Sequence, residues 1–114
     1  MRWQISMQRQ EYKVRQLPMF VVDRTVPGMT EELLAEQQRL LHEAARRVSL
    51  AGQSVRYVRC TYIPDEDRCI CLFEADNVAA VRRVNETAQV PFRRISAAVE
   101  FWEPGAGVPK KKSQ

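Results

Sequence analysis

The 114-residue chain has one histidine, His42, only four glycines and three cysteines. A single histidine leaves no second imidazole to complete a metal centre of the usual nitrogen-rich kind. The cysteines Cys60, Cys69 and Cys71 are odd in number and crowded into one short region, which excludes the even, dispersed set of a secreted disulfide scaffold. Free thiols in a reducing compartment fit better. No apolar run approaches the roughly 20 residues that a membrane span needs. The first ten residues, from Met1 to Gln10, lack the apolar block of a signal peptide, so a cytoplasmic location is expected.

What is present is ordinary for one soluble domain: 45% apolar and 28% charged residues in a chain able to bury a single modest core. The net charge is +4. Lys110, Lys111 and Lys112 supply most of it, so the body of the chain is close to neutral and no specific nucleic-acid partner is expected. Residues 1–18 read as an N-terminal extension, because Trp3, Ile5 and Met7 suit a strand while Trp3, Met7, Val14 and Leu17 suit a helix. Pro104, Gly105, Gly107 and Pro109 open a flexible basic tail over 104–114.

Between them, 19–103 is punctuated as one domain. Met19 to Arg24 reads as a buried strand with valines at its centre. Thr30 is a predicted helix N-cap, with Glu31 and Glu32 at the positive end of the dipole. Leu33, Leu34, Leu40, Leu41, Ala44, Ala45 and Val48 then form one apolar stripe, and Gly52 marks the stop. Val55 to Ile63 alternates as a strand, with Val55, Tyr57 and Ile63 on one face and Val58, Cys60 and Tyr62 on the other. Pro64, Asp65, Glu66 and Asp67 make a turn, since proline presets the backbone and aspartates bond nearby amides. Cys69 to Ala75 is the returning antiparallel strand.

Asp76 or Asn77 caps a second helix bearing Val78, Val81, Val84 and Ala88, which ends before Pro91. Arg94 to Trp102 alternates as a last strand, with Ile95, Ala97, Val99 and Phe101 on one side. The order βαββαβ is that of the α+β ferredoxin-like fold, an antiparallel sheet with helices on one face. Both faces of the Cys69 to Ala75 strand are apolar, whereas a sheet with one wet face should alternate. The second face is therefore expected to be covered, by sheet-to-sheet homodimerisation of the dimeric α/β barrel type or by the N-terminal extension.

Three segments carry a family resemblance: Met19 to Arg24, Pro27 to Leu33, and Pro64 to Ala75, the last with its proline-acid turn leading into Cys71-Leu72-Phe73-Glu74-Ala75. Together they resemble the DUF4242 family of small bacterial proteins over roughly residues 19–101. The resemblance implies a ferredoxin-like fold, sheet-to-sheet dimers and, in some relatives, nickel binding. The metal-binding relatives have histidines late in the second helix and near the following proline, where this chain has Asn85 and Val90. An amide is a poor nickel ligand and valine has no donor atom, so an inherited nickel site is not expected here.

Cys69 and Cys71 lie on one strand face, about 7 Å apart by strand rise. Buried cysteine packs as a small apolar residue, which suffices for all three, and no metal ligand set is assigned. The acids at 65–67 lack the spacing and glycine bend of a calcium loop. The favoured function is a small-ligand or metal-binding module with a cavity between dimerised sheets, lined by Asp23, Tyr57, Tyr62, Cys71, Phe73 and Trp102. The alternative is a small-molecule enzyme of the dimeric α/β barrel type, oxygenase-like or isomerase-like, with Asp23, Glu74 or Glu100 as the only base candidates. RNA binding would need paired aromatics on the central strands, and Phe20 and Phe73 alone do not supply them.

Overall fold

A computed structural model describes residues 17–101. The expected extension and tail fall, apart from 17 and 18, outside the described residues, as does Trp102. Strand β1 is Met19–Thr25, helix α1 Glu31–Leu50, β2 Val55–Ile63, β3 Arg68–Ala75, helix α2 Val78–Ala88 and β4 Arg94–Ala98. The strands form one antiparallel sheet in the order β2-β3-β1-β4. This is the expected ferredoxin-like arrangement, in which each helix carries the chain over one face and inserts the following strand beyond its neighbour.

Local chemistry sets the element ends. Thr30 Oγ1 accepts from the Leu33 amide at 3.1 Å, and Asn77 Oδ1 accepts from the Ala80 amide at 3.0 Å, so both helices begin on a side-chain cap. Helix α2 stops at Gln89, which takes a left-handed conformation with φ 60°. The turn between β2 and β3 is a short 3-10 segment, Pro64–Glu66, closed by Asp67 at φ 52°. Aspartate tolerates that region better than most side chains.

The core lies between the helices and one sheet face. Leu41, Ala44, Ala45 and Val48 of α1 and Ala80, Val81 and Val84 of α2 pack on Phe20, Val22, Tyr57, Cys71 and Phe73. Burying each large apolar side chain contributes on the order of 1.5–3 kcal/mol. The α1 stripe is shorter than its sequence implies, because Leu33 is 57% exposed ahead of the region where the helix meets the sheet.

Two strand expectations are corrected. Strand β4 ends at Ala98 rather than Trp102, because its partner β1 begins at Met19, paired with Ala98, directly after Pro18. Without a continuing partner ladder, Val99 and Phe101 are 75% and 87% exposed rather than facing the core. In β2 the register against β3 shifts between Tyr57 and Arg59, so Val58 is the extra residue of a β-bulge. The extra residue reverses the alternation. Cys60 and Tyr62 therefore share a face with Val55 and Tyr57, and Ile63 turns to the other side.

Candidate thiol site

The three cysteines face the helices. Cys60 pairs with Cys71 and Tyr62 with Cys69 across β2 and β3, while Val22 pairs with Cys71 and Arg24 with Cys69 across β1 and β3. All six side chains lie on the helix-covered side by strand alternation. Cys69 and Cys71 are fully buried, Cys60 is half-buried, and none of the three is in a disulfide.

At the centre sits Arg24, only 1% exposed. Phe20 and Val22 point into the core, so the period of two along β1 sends Arg24 the same way. Its Nη1 donates to the carbonyls of Pro91 at 2.9 Å and Val90 at 3.3 Å, and its Nη2 donates to Asn85 Oδ1 at 2.7 Å and Cys71 Sγ at 3.6 Å. Asn85, also 1% exposed, is held by donating its Nδ2 to Val81 O at 2.8 Å. Arginine thereby ties β1 to the end of α2 and to the loop leading into β4. Among the described residues no carboxylate contacts this guanidinium, so it is a buried cation neutralised only by dipoles and sulfur.

Tyr57 closes the other side. Its hydroxyl donates to Gln38 Oε1 and alternatively approaches Cys71 Sγ at 3.7 Å, while its ring stacks against Phe73 and meets the edge of His42 at 4.7 Å. Burial, followed by negative charge on the neighbouring sulfurs, raises the Tyr57 pKa, so the phenol stays protonated and remains a donor. The Nε of Arg24 and the Nε2 of both Gln37 and Gln38 are buried N–H groups without an acceptor. An excess of donors around sulfur is an environment that favours thiolate.

The thiols divide the work unequally. A hydrogen bond from Cys71 holds the Cys60 pKa below its usual value, against the cost of partial burial, and Tyr57 assists as a second donor. The same bond, and then burial, pushes Cys71 up, because it must keep its proton to donate it. Burial raises Cys69 as well, although the charge of Arg24 works the other way. Cys60 is therefore the one of the three thiols whose ionisation the surroundings ease.

The expected cavity lining is split by the sheet. Tyr57, Cys71 and Phe73 are core residues beneath the helices, Tyr62 is half-buried on that same side, and Asp23 lies on the opposite face. Strand alternation and the bulge at Val58 cause the division, so Tyr57, Cys71 and Phe73 do not line a space between sheets. The candidate base Asp23 is engaged by Arg68 at 3.3 Å, and Glu74 by Arg56 at 3.0 Å. Among the described residues, no group of three or more histidine, cysteine, aspartate or glutamate side chains could hold a metal ion.

Arg24 and the two glutamines were absent from the sequence-based site. The signal for Arg24 was present: a strand whose alternate residues are Phe20 and Val22 places an arginine in the same apolar row, where charge is rare. Replacing Asn85 with alanine removes the acceptor from a buried guanidinium and is expected to cost about 2–4 kcal/mol in urea unfolding. A loss within about 0.5 kcal/mol, the range of an ordinary surface change, would show that Arg24 does not depend on Asn85.

No curated protein matches the chain. Among solved structures, the crystal structure of SCO4226 from Streptomyces coelicolor A3(2) aligns with a TM-score of 0.64 at 19% identity, covering 74% of this chain and 99% of that one. At that identity the likeness shows the shared fold. A family model described as "Nickel responsive protein SCO4226-like" matches residues 20–97, a span that runs from β1 into β4 and holds every element of the thiol site. The family likeness read from the proline-acid turn thus stands under this description rather than under the DUF4242 name, and the chain belongs to the SCO4226-like family.

Proposed function

We propose that the chain is a small homodimeric response module whose chemistry is that of a thiolate held near a buried arginine, and not an enzyme. The observation that carries this reading is the Arg24 guanidinium, 1% exposed and bonded to Asn85 Oδ1 and Cys71 Sγ with no carboxylate among the described residues. The cation lies against Cys71, whose partner across the strands is Cys60, the most accessible of the three thiols and the one that a soft electrophile or oxidant would meet.

Nickel binding is the second reading, favoured by the family description. The described residues do not fit it. His42 is the chain's one imidazole and stands edge-on to Tyr57, no cluster of metal-ligating side chains is formed among the described residues, and Arg24 places positive charge beside the thiols. A divalent cation would meet both too few donors and electrostatic repulsion.

Two experiments separate these readings. Purified protein incubated with nickel(II) and then desalted is expected to show no retained metal by native mass spectrometry, while limiting iodoacetamide near neutral pH modifies Cys60 ahead of Cys69 and Cys71. One nickel retained per chain, or equal labelling of the three cysteines, would overturn the thiol reading.

The dimer rests on the second sheet face. Val21, Ile63 and Ile70 are half-buried there beside buried Leu72, flanked by the ion pairs of Asp23 with Arg68 and Glu74 with Arg56. An apolar centre with a charged rim suits pairing of two like faces. Light scattering is expected to give twice the 13.2 kDa chain mass, falling to one chain mass in Ile70→Glu. A wild-type monomer would contradict the assembly and leave the thiol chemistry untouched.

A further inference from the structure

We propose that Cys60 and Cys71 are a reversible redox pair, closing a cross-strand disulfide when the site meets a hydroperoxide. The proposal rests on the thiol reading above and gives it a reagent class and a product.

The geometry comes from the bulge. With Val58 as the extra residue, Cys60 stands directly opposite Cys71 on neighbouring antiparallel strands. Residues so placed have Cα atoms about 4.5–5.5 Å apart, inside the roughly 4.4–6.8 Å span that a disulfide bridges. Cys69 pairs with Tyr62 instead, so it stands diagonal to Cys60 and is the poorer partner. Accessibility divides the roles in the same sense: Cys60 is half-buried and can meet a small oxidant, whereas Cys71 is fully buried and reachable only from Cys60.

The chemistry balances with peroxide as the sole co-reactant. The Cys60 thiolate attacks one peroxide oxygen, forming an S–O bond as the O–O bond breaks, and the leaving hydroxide takes a proton to become water. Cys71, giving up its proton, then attacks the Cys60 sulfenic sulfur. An S–S bond forms, the S–O bond breaks, and the departing oxygen leaves with that proton as a second water. Two thiols have lost one electron each and one peroxide has been reduced.

Two donors beside Cys71 support the second step. Tyr57 O–H and Arg24 Nη2 point at Cys71 Sγ, from 3.7 and 3.6 Å, and would stabilise its thiolate as it forms. Closure of the bridge would turn Cys71 Sγ into a disulfide sulfur and so alter its contact with Arg24, one contact of the anchor that holds the loop at Val90 and Pro91.

The test uses the full chain treated with hydrogen peroxide and then alkylated under denaturing conditions. Alkylatable thiols are expected to fall from three to one. The intact mass before alkylation should drop by two hydrogens, and peptide mapping should join Cys60 to Cys71. Dithiothreitol should restore all three thiols. Cys69→Ser should close the same bridge, whereas Cys71→Ser should stop at a Cys60 sulfenic acid trapped by dimedone. Retention of all three thiols, or a bridge mapping to Cys60 and Cys69 or to a second chain, would overturn the pair. Should Cys60 alkylate first yet form no bridge, the redox pair falls while the thiolate reading survives; equal alkylation of the three cysteines removes both.

Discussion

A guanidinium enclosed in a protein core needs hydrogen-bond partners, because an unpaired buried ion costs several kcal/mol, on the order of a small domain's whole stability. Arg24 imposes that constraint on this fold. Its two terminal nitrogens fix Asn85 near the end of α2, the carbonyls of Val90 and Pro91 beyond it, and the sulfur of Cys71 on the central strand. Strand β3 and the segment 85–91 are thereby held to β1 through one cation. The left-handed turn at Gln89 and the bond from the Val90 amide to Asn85 O present those carbonyls inward.

From this anchor the chemistry spreads outward through sulfur. Arg24 donates to Cys71 Sγ, the Tyr57 hydroxyl lies 3.7 Å from the same sulfur, and Cys71 in turn eases ionisation of Cys60. The half-buried end of that chain is the one that reagents can reach. A polar network in an apolar core is costly when partly satisfied, and three N–H groups here have no acceptor. Such a cost is commonly retained where it serves a site rather than the fold, and the surplus donors fit a sulfur that becomes anionic.

Much of the fold was legible because its signals are local. Thr30 and Asn77 cap as their side-chain chemistry demands, and the turn at 64–67 follows from proline and aspartate. The strand order followed from the succession of elements. What the sequence concealed was non-local. A bulge at Val58 has no residue signature and depends on how β2 meets β3, yet it moves Cys60 and Tyr62 to the other face. Likewise, the length of β4 was set by where β1 begins and not by its own alternation. Tyr57, Cys71 and Phe73, expected in a lining with Asp23, pack in the core under the helices, while strand alternation turns Asp23 to the opposite face.

Family membership and side-chain chemistry also point to different places. The family description names nickel, whereas the described residues of this chain offer a single imidazole and a cation among thiols. Late in the second helix, Asn85 serves a guanidinium. A shared scaffold thus supports distinct site chemistry, as the separation of fold from function allows. The most direct measurement is a pH titration of thiolate ultraviolet absorbance in the reduced, folded protein. The account predicts one thiolate per chain appearing below the ordinary thiol value of about 8.5, with the other two resisting ionisation well above it. Three thiols titrating together at or above that value would contradict the central claim.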